Sequence, residues 1–155
     1  MQVTLIAAFD ENKVIGNDGG IPWDIPEEQS HFYRTTIGHP VIVGRKTREN
    51  IGELQARLNI VLSREERFGG KETVTARNKQ AALEAAEDSY KDEVFIIGGS
   101  SVYKQFIDDA DKMILTKIDG EYEGDRYFPE FSLDDWEWKV QHIRNKYTIL
   151  EYERR

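Results

Sequence analysis

The run VFIIGGSSVYKQF, Val94–Phe106, decides how the chain is put together. Val94 to Ile97 are apolar without interruption, the pattern of a strand covered on both faces, as strands of parallel sheets are. Gly98 and Gly99 break the strand, and Ser100 and Ser101 lead into a helix expected over about Ser101 to Asp108. A buried strand, a tight glycine turn and a helix in direct succession are the working unit of an α/β sheet.

Further apolar runs rich in β-branched residues occur on both sides, at Val3–Phe9, Val41–Val43, Ile60–Leu62 and Met113–Ile118. Helical segments are expected between them. One runs from about Pro26 to Thr36, a short one follows Gly44, and one covers about Lys79 to Asp88 with Asn78 as its N-cap. The C-terminal stretch changes character. WEWKVQHI and YTILEYER flank Arg144-Asn145-Lys146 and alternate in polarity, which predicts an antiparallel hairpin. The expected fold is a single α/β domain over residues 1–155: a doubly wound, mostly parallel sheet of about eight strands with helices on both faces, closed by that hairpin. Ligands of such sheets sit beyond the carboxyl ends of the strands.

Composition narrows the function. The chain has 155 residues, 39% of them hydrophobic and 32% charged, the profile of a folded globular protein. No run approaches the roughly 18 apolar residues of a membrane helix. The start, MQVTLIAAF, has no basic n-region and reads as a first strand. The absence of cysteine excludes thiol chemistry and cysteine-ligated metal and suits a cytoplasmic location. His31, His39 and His142 show no ligand spacing, so no metal is expected. A net charge of −8 argues against nucleic-acid binding. Yet Val41 to Arg64 holds five basic residues (Arg45, Lys46, Arg48, Arg57, Arg64) against two acids, whereas Asp119 to Trp138 holds eight acids and one base. An anionic small molecule held by the basic region is one reading of this asymmetry; solvated faces of mixed charge are the other.

Two strand-to-helix turns carry the residue types of phosphate binding. VIVGRKT sets Gly44, Arg45, Lys46 and Thr47 at the mouth of a helix, and GGSSVY sets Gly98 to Val102 at another, with Tyr103 one turn in. Neither is a P-loop or a G-x-G-x-x-G fingerprint. A third feature is GNDGGIPWDIPEEQSHF, Gly16–Phe32. Its glycines loosen the backbone before Pro22, Trp23 and Pro26 stiffen it. Asp24 is placed to cap the helix, with Glu27 at capping-box spacing. Glu28 lies three residues after Ile25 and four before Phe32, on the apolar side, while Glu27 falls with His31 and Arg34 on the wet side. An acid-rich first turn also suits the helix dipole alone.

Taken together, LIAAF…KVIG, IPWDIPEEQSHF, PVIVGRKT, NIVLSR, FIIGGSSVYKQF, LTKIDGEYEGDRYFP and YTILEYERR resemble dihydrofolate reductase in order and over nearly the whole length. The resemblance implies NADPH-dependent reduction of 7,8-dihydrofolate to tetrahydrofolate, in one-carbon metabolism. It makes Glu28 the acid that grips the pterin, Thr116 the hydroxyl supporting that acid, and Trp23 the third member of the catalytic group. Ile6, Ala8, Phe32 and Ile51 become substrate walls, joined by Ile97 and Tyr103, and Arg57 becomes the partner of the substrate's glutamate carboxylate. Gly16 to Trp23 resembles a mobile lid over nicotinamide, with Ile21 nearest the reacting rings. The cofactor set it implies begins with Ala8, Ile15 and Gly16 and continues through Gly44, Arg45, Lys46 and Thr47. It includes Gly98, Gly99, Ser100, Ser101, Val102 and Tyr103, and Leu62, with Ser63 and Arg64 toward the 2′-phosphate and Ile97 shared between the two ligands. The family also carries a cis Gly-Gly peptide at the second turn. A monomer, inhibited by antifolates such as trimethoprim or methotrexate, is the expected form. The sequence departs from the family where Ser100 replaces a third glycine and where IGELQARLN lacks the usual prolines, which bears on the placement of Arg57. Two other readings remain: a reductase of riboflavin synthesis, which resembles the fold but gives no reason for the PW-x-x-PE-E arrangement, and a catalytically inactive nucleotide-binding protein.

Overall fold

The computed structural model describes all residues, Met1–Arg155. In chain order the strands and helices are β1 (Gln2–Phe9), β2 (Val14–Gly16), α1 (Pro26–Thr36), β3 (Val41–Gly44), α2 (Arg45–Ile51), β4 (Asn59–Leu62) and β5 (Thr73–Ala76). There follow α3 (Lys79–Glu87), β6 (Glu93–Ile96), α4 (Ser100–Phe106), β7 (Lys112–Ile118), β8 (Arg126–Tyr127), β9 (Trp136–Ile143) and β10 (Tyr147–Arg154). Eight strands form one sheet in the order β5-β4-β3-β6-β1-β7-β10-β9. The pairings from β5 across to β7 are parallel, and β10 and β9 add antiparallel. The doubly wound arrangement with its closing hairpin is the one the apolar runs predict.

Strand alternation divides the core in two. On β1, Val3, Leu5, Ala7 and Phe9 face a layer with Ala82 and Ala86 of α3 and Val102 and Phe106 of α4. Ile6 faces the opposite layer, with Trp23 and Ile25 at the start of α1. Leu5, Ile42, Ile60 and Ile96 are wholly buried on the first face; each such side chain contributes about 1.5–3 kcal/mol of transfer free energy. Asn78 caps α3 by accepting from the Ala81 amide at 2.8 Å, as expected.

Three short strands escape the periodicity. β5 is a polar edge strand, and β2 and β8, of three and two residues, form a separate ribbon. The cap of α1 also differs. Ile25 occupies the N-cap without any side-chain hydrogen bond, and Pro26 opens the helix. Asp24 is therefore no cap: proline fixes the first helical position and places the boundary one residue later.

Candidate functional site

The carboxyl ends of β1, β3, β4 and β6 open into one cavity of about 1600 Å³. Its two halves have different chemistry because different elements build them.

In one half the walls are Ile6 and Ala8 of β1, Phe32 of α1, Leu54, Ile51 at the end of α2, and Ile97. Into this apolar surface α1 turns Glu28, which is 9% exposed, while Glu27 one residue earlier is exposed. This is the helix phase that the Ile25–Glu28–Phe32 spacing dictates. No hydrogen bond or ion pair meets the Glu28 carboxylate, and burial raises its pKa from 4.5 to about 7. Tyr103 of α4 lies nearby with its hydroxyl donating to the Ile6 carbonyl at 2.7 Å. Burial, reinforced by the negative charge of Glu28, holds that phenol well above its ordinary pKa.

Two expected members of this half are placed otherwise. Thr116 of β7 pairs with Ala8 of β1 and Ile149 of β10 and is 1% exposed. Held in the sheet between two neighbouring strands, it does not line the cavity and makes no hydrogen bond to Glu28. Arg57 is also outside the lining. Its Nε donates to the Gln55 carbonyl at 2.6 Å and its Nη1 to the Thr36 hydroxyl at 2.8 Å, with the Tyr33 ring 5.8 Å away. The guanidinium lies against α1, where burial lowers its pKa and no carboxylate of the protein pairs with it.

The other half is polar and cationic. Gly44, Arg45, Lys46 and Thr47 line it from the β3–α2 turn, Leu62, Ser63 and Arg64 from the end of β4, and Gly99 to Tyr103 from the β6–α4 turn. Gly98 does not: it is buried behind the wall, its carbonyl accepting from the Gly44 amide at 2.8 Å. The Gly98–Gly99 peptide is cis, as the resemblance implies. The basic region is only partly spent here. Arg48 turns away to the Thr73 hydroxyl at 3.0 Å and the Gly69 carbonyl at 3.1 Å. Arg77 and Lys79, delivered by the β5–α3 connection, line the cavity in addition. Local charge counting missed them because they arrive from a distant part of the chain; the one signal was their place just before and after the Asn78 cap. The first-turn amides of α2 have no helical acceptor. Free donors, positive side chains and a glycine wall fit a cofactor bearing several phosphates.

The segment Gly16 to Trp23, expected as a lid, lines the mouth. Asn17 and Gly20 exchange backbone hydrogen bonds at 2.8 and 3.0 Å around Asp18 and Gly19, whose φ angles of +51° and +80° make a tight two-residue hairpin. Asn50 of α2 donates to the Gly19 carbonyl at 2.8 Å. The Asp125 carboxylate accepts from the Asp18 amide at 3.2 Å, and its own amide donates to Gly16 at 3.0 Å. Behind the lid, fully buried Asp10 accepts from the amides of Asn12, Val14 and Tyr122 at 2.7–2.9 Å. Trp23, 7% exposed, packs edge-on against Tyr122 at 5.5 Å, and Ile15, Gly16 and Ile21 line the cavity beneath. Asn50 and Asp10 carry no motif a single sequence exposes, and Asp125, though within LTKIDGEYEGDRYFP, gives no sign of its role there; only the fold brings them to the lid. No group of three or more histidine or acidic side chains converges as a metal site would require.

Comparison with known proteins gives the same reading. The family model described as dihydrofolate reductase matches residues 2–154. Dihydrofolate reductase of Staphylococcus haemolyticus is 41% identical over 137 residues, covering 88% of this chain and 81% of that protein. Dihydrofolate reductase HdrB of Haloferax volcanii is 35% identical over 164 residues, covering 100% and 84%. Among solved structures, dihydrofolate reductase from Enterococcus faecalis, complexed with NADP(H) and RAB-propyl, superposes with a TM-score of 0.85 at 31% identity, over 99% of this chain and 96% of that one. The chain belongs to the dihydrofolate reductase family.

Proposed function

We propose the following division of labour for the NADPH-dependent reduction of 7,8-dihydrofolate, carried above all by one observation: a buried carboxylate without a partner, Glu28, on the wall of an otherwise apolar half-cavity. A buried acid that nothing inside the protein satisfies is costly unless a ligand brings donors to it. The 2-amino group and ring nitrogen of a pterin present two N–H donors side by side, which suits the two carboxylate oxygens. Bound in the other half, NADPH would supply the hydride for C6 of the substrate, while N5 gains a proton to give 5,6,7,8-tetrahydrofolate.

The chain's own groups bind, orient and exclude water. Ile6, Ala8, Phe32, Ile51 and Ile97 flank the flat ring, and positioning of this kind is worth roughly 7–11 kcal/mol of barrier. Arg45, Lys46, Thr47 and the Gly99–Val102 turn hold the pyrophosphate, and Ser63 and Arg64 the 2′-phosphate, where a guanidinium fork fits a dianion. Ile21 and Trp23 close the lid over the reacting rings, keeping bulk water from the transfer. Ionised Glu28 raises the proton affinity of N5, and the proton arrives by way of water. Arg57 takes the substrate's glutamate carboxylate, the anion its half-satisfied guanidinium lacks within the protein. Thr116 steadies the α1 face of the sheet near Glu28. The protein acts as a cytoplasmic monomer of one domain, consistent with its having no helix long and apolar enough to cross a membrane, and binds antifolates of the trimethoprim and methotrexate class through the same carboxylate.

The test is a steady-state assay following nicotinamide absorbance with dihydrofolate, NADPH and NADH run in parallel. The expected result is turnover with a clear preference for NADPH. No turnover would overturn the assignment, and equal use of NADH would overturn the role of Ser63 and Arg64 at the 2′-phosphate.

A further inference from the structure

Across α1 from Glu28 lies a second cavity, of about 300 Å³, between the helix and the β9–β10 hairpin. From α1 it is lined by Glu27, Ser30, His31 and Arg34, and from the hairpin by His142, Arg144, Tyr147 and Ile149. This is an unusual gathering for a chain of net charge −8. Two guanidinium charges face a single carboxylate, and two imidazoles add two more positive charges when protonated. None of these side chains is in an ion pair, although six ion pairs form elsewhere.

The His31 imidazole senses its surroundings. Burial lowers the His31 pKa, and the charges of Arg34 and His142 lower it further. The His31 ring is also wired in one direction. Thr35 spends its hydroxyl hydrogen on the His31 carbonyl at 2.7 Å, so the longer 3.5 Å contact with Nδ1 has the ring as donor. Nε2 is then a buried nitrogen with no protein partner, a bare acceptor when neutral and a donor when protonated. Like charges from two elements thus meet around one opening whose only carboxylate is that of Glu27, and together they raise the local positive potential there.

We propose that this cavity is a second ligand site, distinct from the active site, which binds a compact tetrahedral oxyanion of the phosphate or sulfate class with uptake of protons by His31 and His142. Arg34 and Arg144 supply permanent charge and Ser30 a hydroxyl donor, while Glu27 opposes binding. The facing titratable groups are Glu27, His31 and Arg34 on α1 and His142, Arg144 and Tyr147 on the hairpin, and imidazole is the side-chain type among them that can take up a proton near neutrality. A bound anion favours their protonated forms, and affinity therefore rises as pH falls.

The test uses inorganic sulfate, which remains a dianion throughout, on protein saturated with NADP+ so that the phosphate-binding half of the active site is blocked. Histidine ring resonances are followed by NMR between about pH 5.5 and pH 8, the range in which imidazole titrates, with chloride matching the ionic strength. Sulfate is expected to move the ring resonances of His31 and His142 but not those of His39, whose ring packs on Phe95 elsewhere. Arg34→Gln/Arg144→Gln should weaken sulfate about tenfold, with folding verified by unchanged dihydrofolate reduction. Glu27→Gln should tighten sulfate and leave turnover as it is. The proposal is overturned if His31 and His142 shift no more than His39, if their shifts survive the double arginine substitution, or if Glu27→Gln leaves the affinity for sulfate unimproved.

Discussion

Replacing Glu28 by Gln should make the free protein more stable and the enzyme nearly inactive, and the two effects have one cause. In the folded chain the carboxyl is 9% exposed and its pKa is raised from 4.5 to about 7. Between those values the native state holds a proton that the unfolded state has released. Stability therefore falls as pH rises through this window. Above it, the ionised acid in its apolar wall costs about 3 kcal/mol relative to a carboxyl in water. Glutamine has nearly the same shape and never ionises. Glu28→Gln should thus match wild type within error near pH 4.5 and exceed it by about 2–3 kcal/mol at pH 8, or about 5–10 °C in Tm for a chain of this size. Calorimetry of the ligand-free proteins across that range is the measurement. A gain that does not grow with pH would refute the claim that burial strains this acid. In the assay, the same variant should lose about two orders of magnitude or more of kcat/KM at pH 7, recovering part as pH falls and the substrate arrives protonated. Wild-type turnover at pH 7 would remove Glu28 from the chemistry.

Arg64→Gln should raise KM for NADPH about tenfold or more while leaving KM for NADH unchanged, since only the phosphorylated cofactor loses a charged partner; parallel saturation curves decide it. Asn50→Ala removes the bond from α2 to the Gly19 carbonyl at the lid tip. It should change kcat and KM together by a few-fold, with Tm shifted by less than about 2 °C because the bond is exposed. Asn59→Ala deletes three buried bonds, from the Leu54 amide and to the Leu54 and Arg57 carbonyls, at 2.8–2.9 Å. It should cost about 2–4 kcal/mol in urea unfolding, and a cost below 1 kcal/mol would mean the loop before β4 is held by other contacts.

What could be read along the chain was what depends on near neighbours. The two-sided strands announce themselves through unbroken apolar runs, α1 through Pro26 and its periodicity, and the buried face of Glu28 through helical spacing alone. What could not be read depends on where distant segments meet. Arg48 and Arg57 sit in the same basic stretch as Arg45 and Arg64, yet packing against Gly69 and Thr36 draws them inward, while Arg77 and Lys79 come to the cavity from another connection. Asp10 belongs to no recognisable motif, but its complete burial and three amide donors make it the post on which the lid base is hung. The weak strands β2, β5 and β8 are too short or too polar to produce a period.

The distribution of charge in the cavity also bears on how an acidic protein selects two ligands at once. Opposite ends of one 1600 Å³ space carry opposite demands. The end with Arg45, Lys46, Arg64 and Arg77 carries a positive potential that favours phosphates; Arg45 meets Glu49 at 3.2 Å, and Arg48 and Arg57 point elsewhere. The end with Glu28 holds a single negative charge among apolar walls and rejects phosphates while accepting N–H donors. A cofactor bound in reverse would place its anions against the carboxylate and leave the cations unpaired, a penalty paid at both ends. Orientation of the reacting partners is therefore fixed by electrostatics before any close contact forms. The marginal pKa of Glu28 is the consequence of building that negative end from one residue in a dry wall.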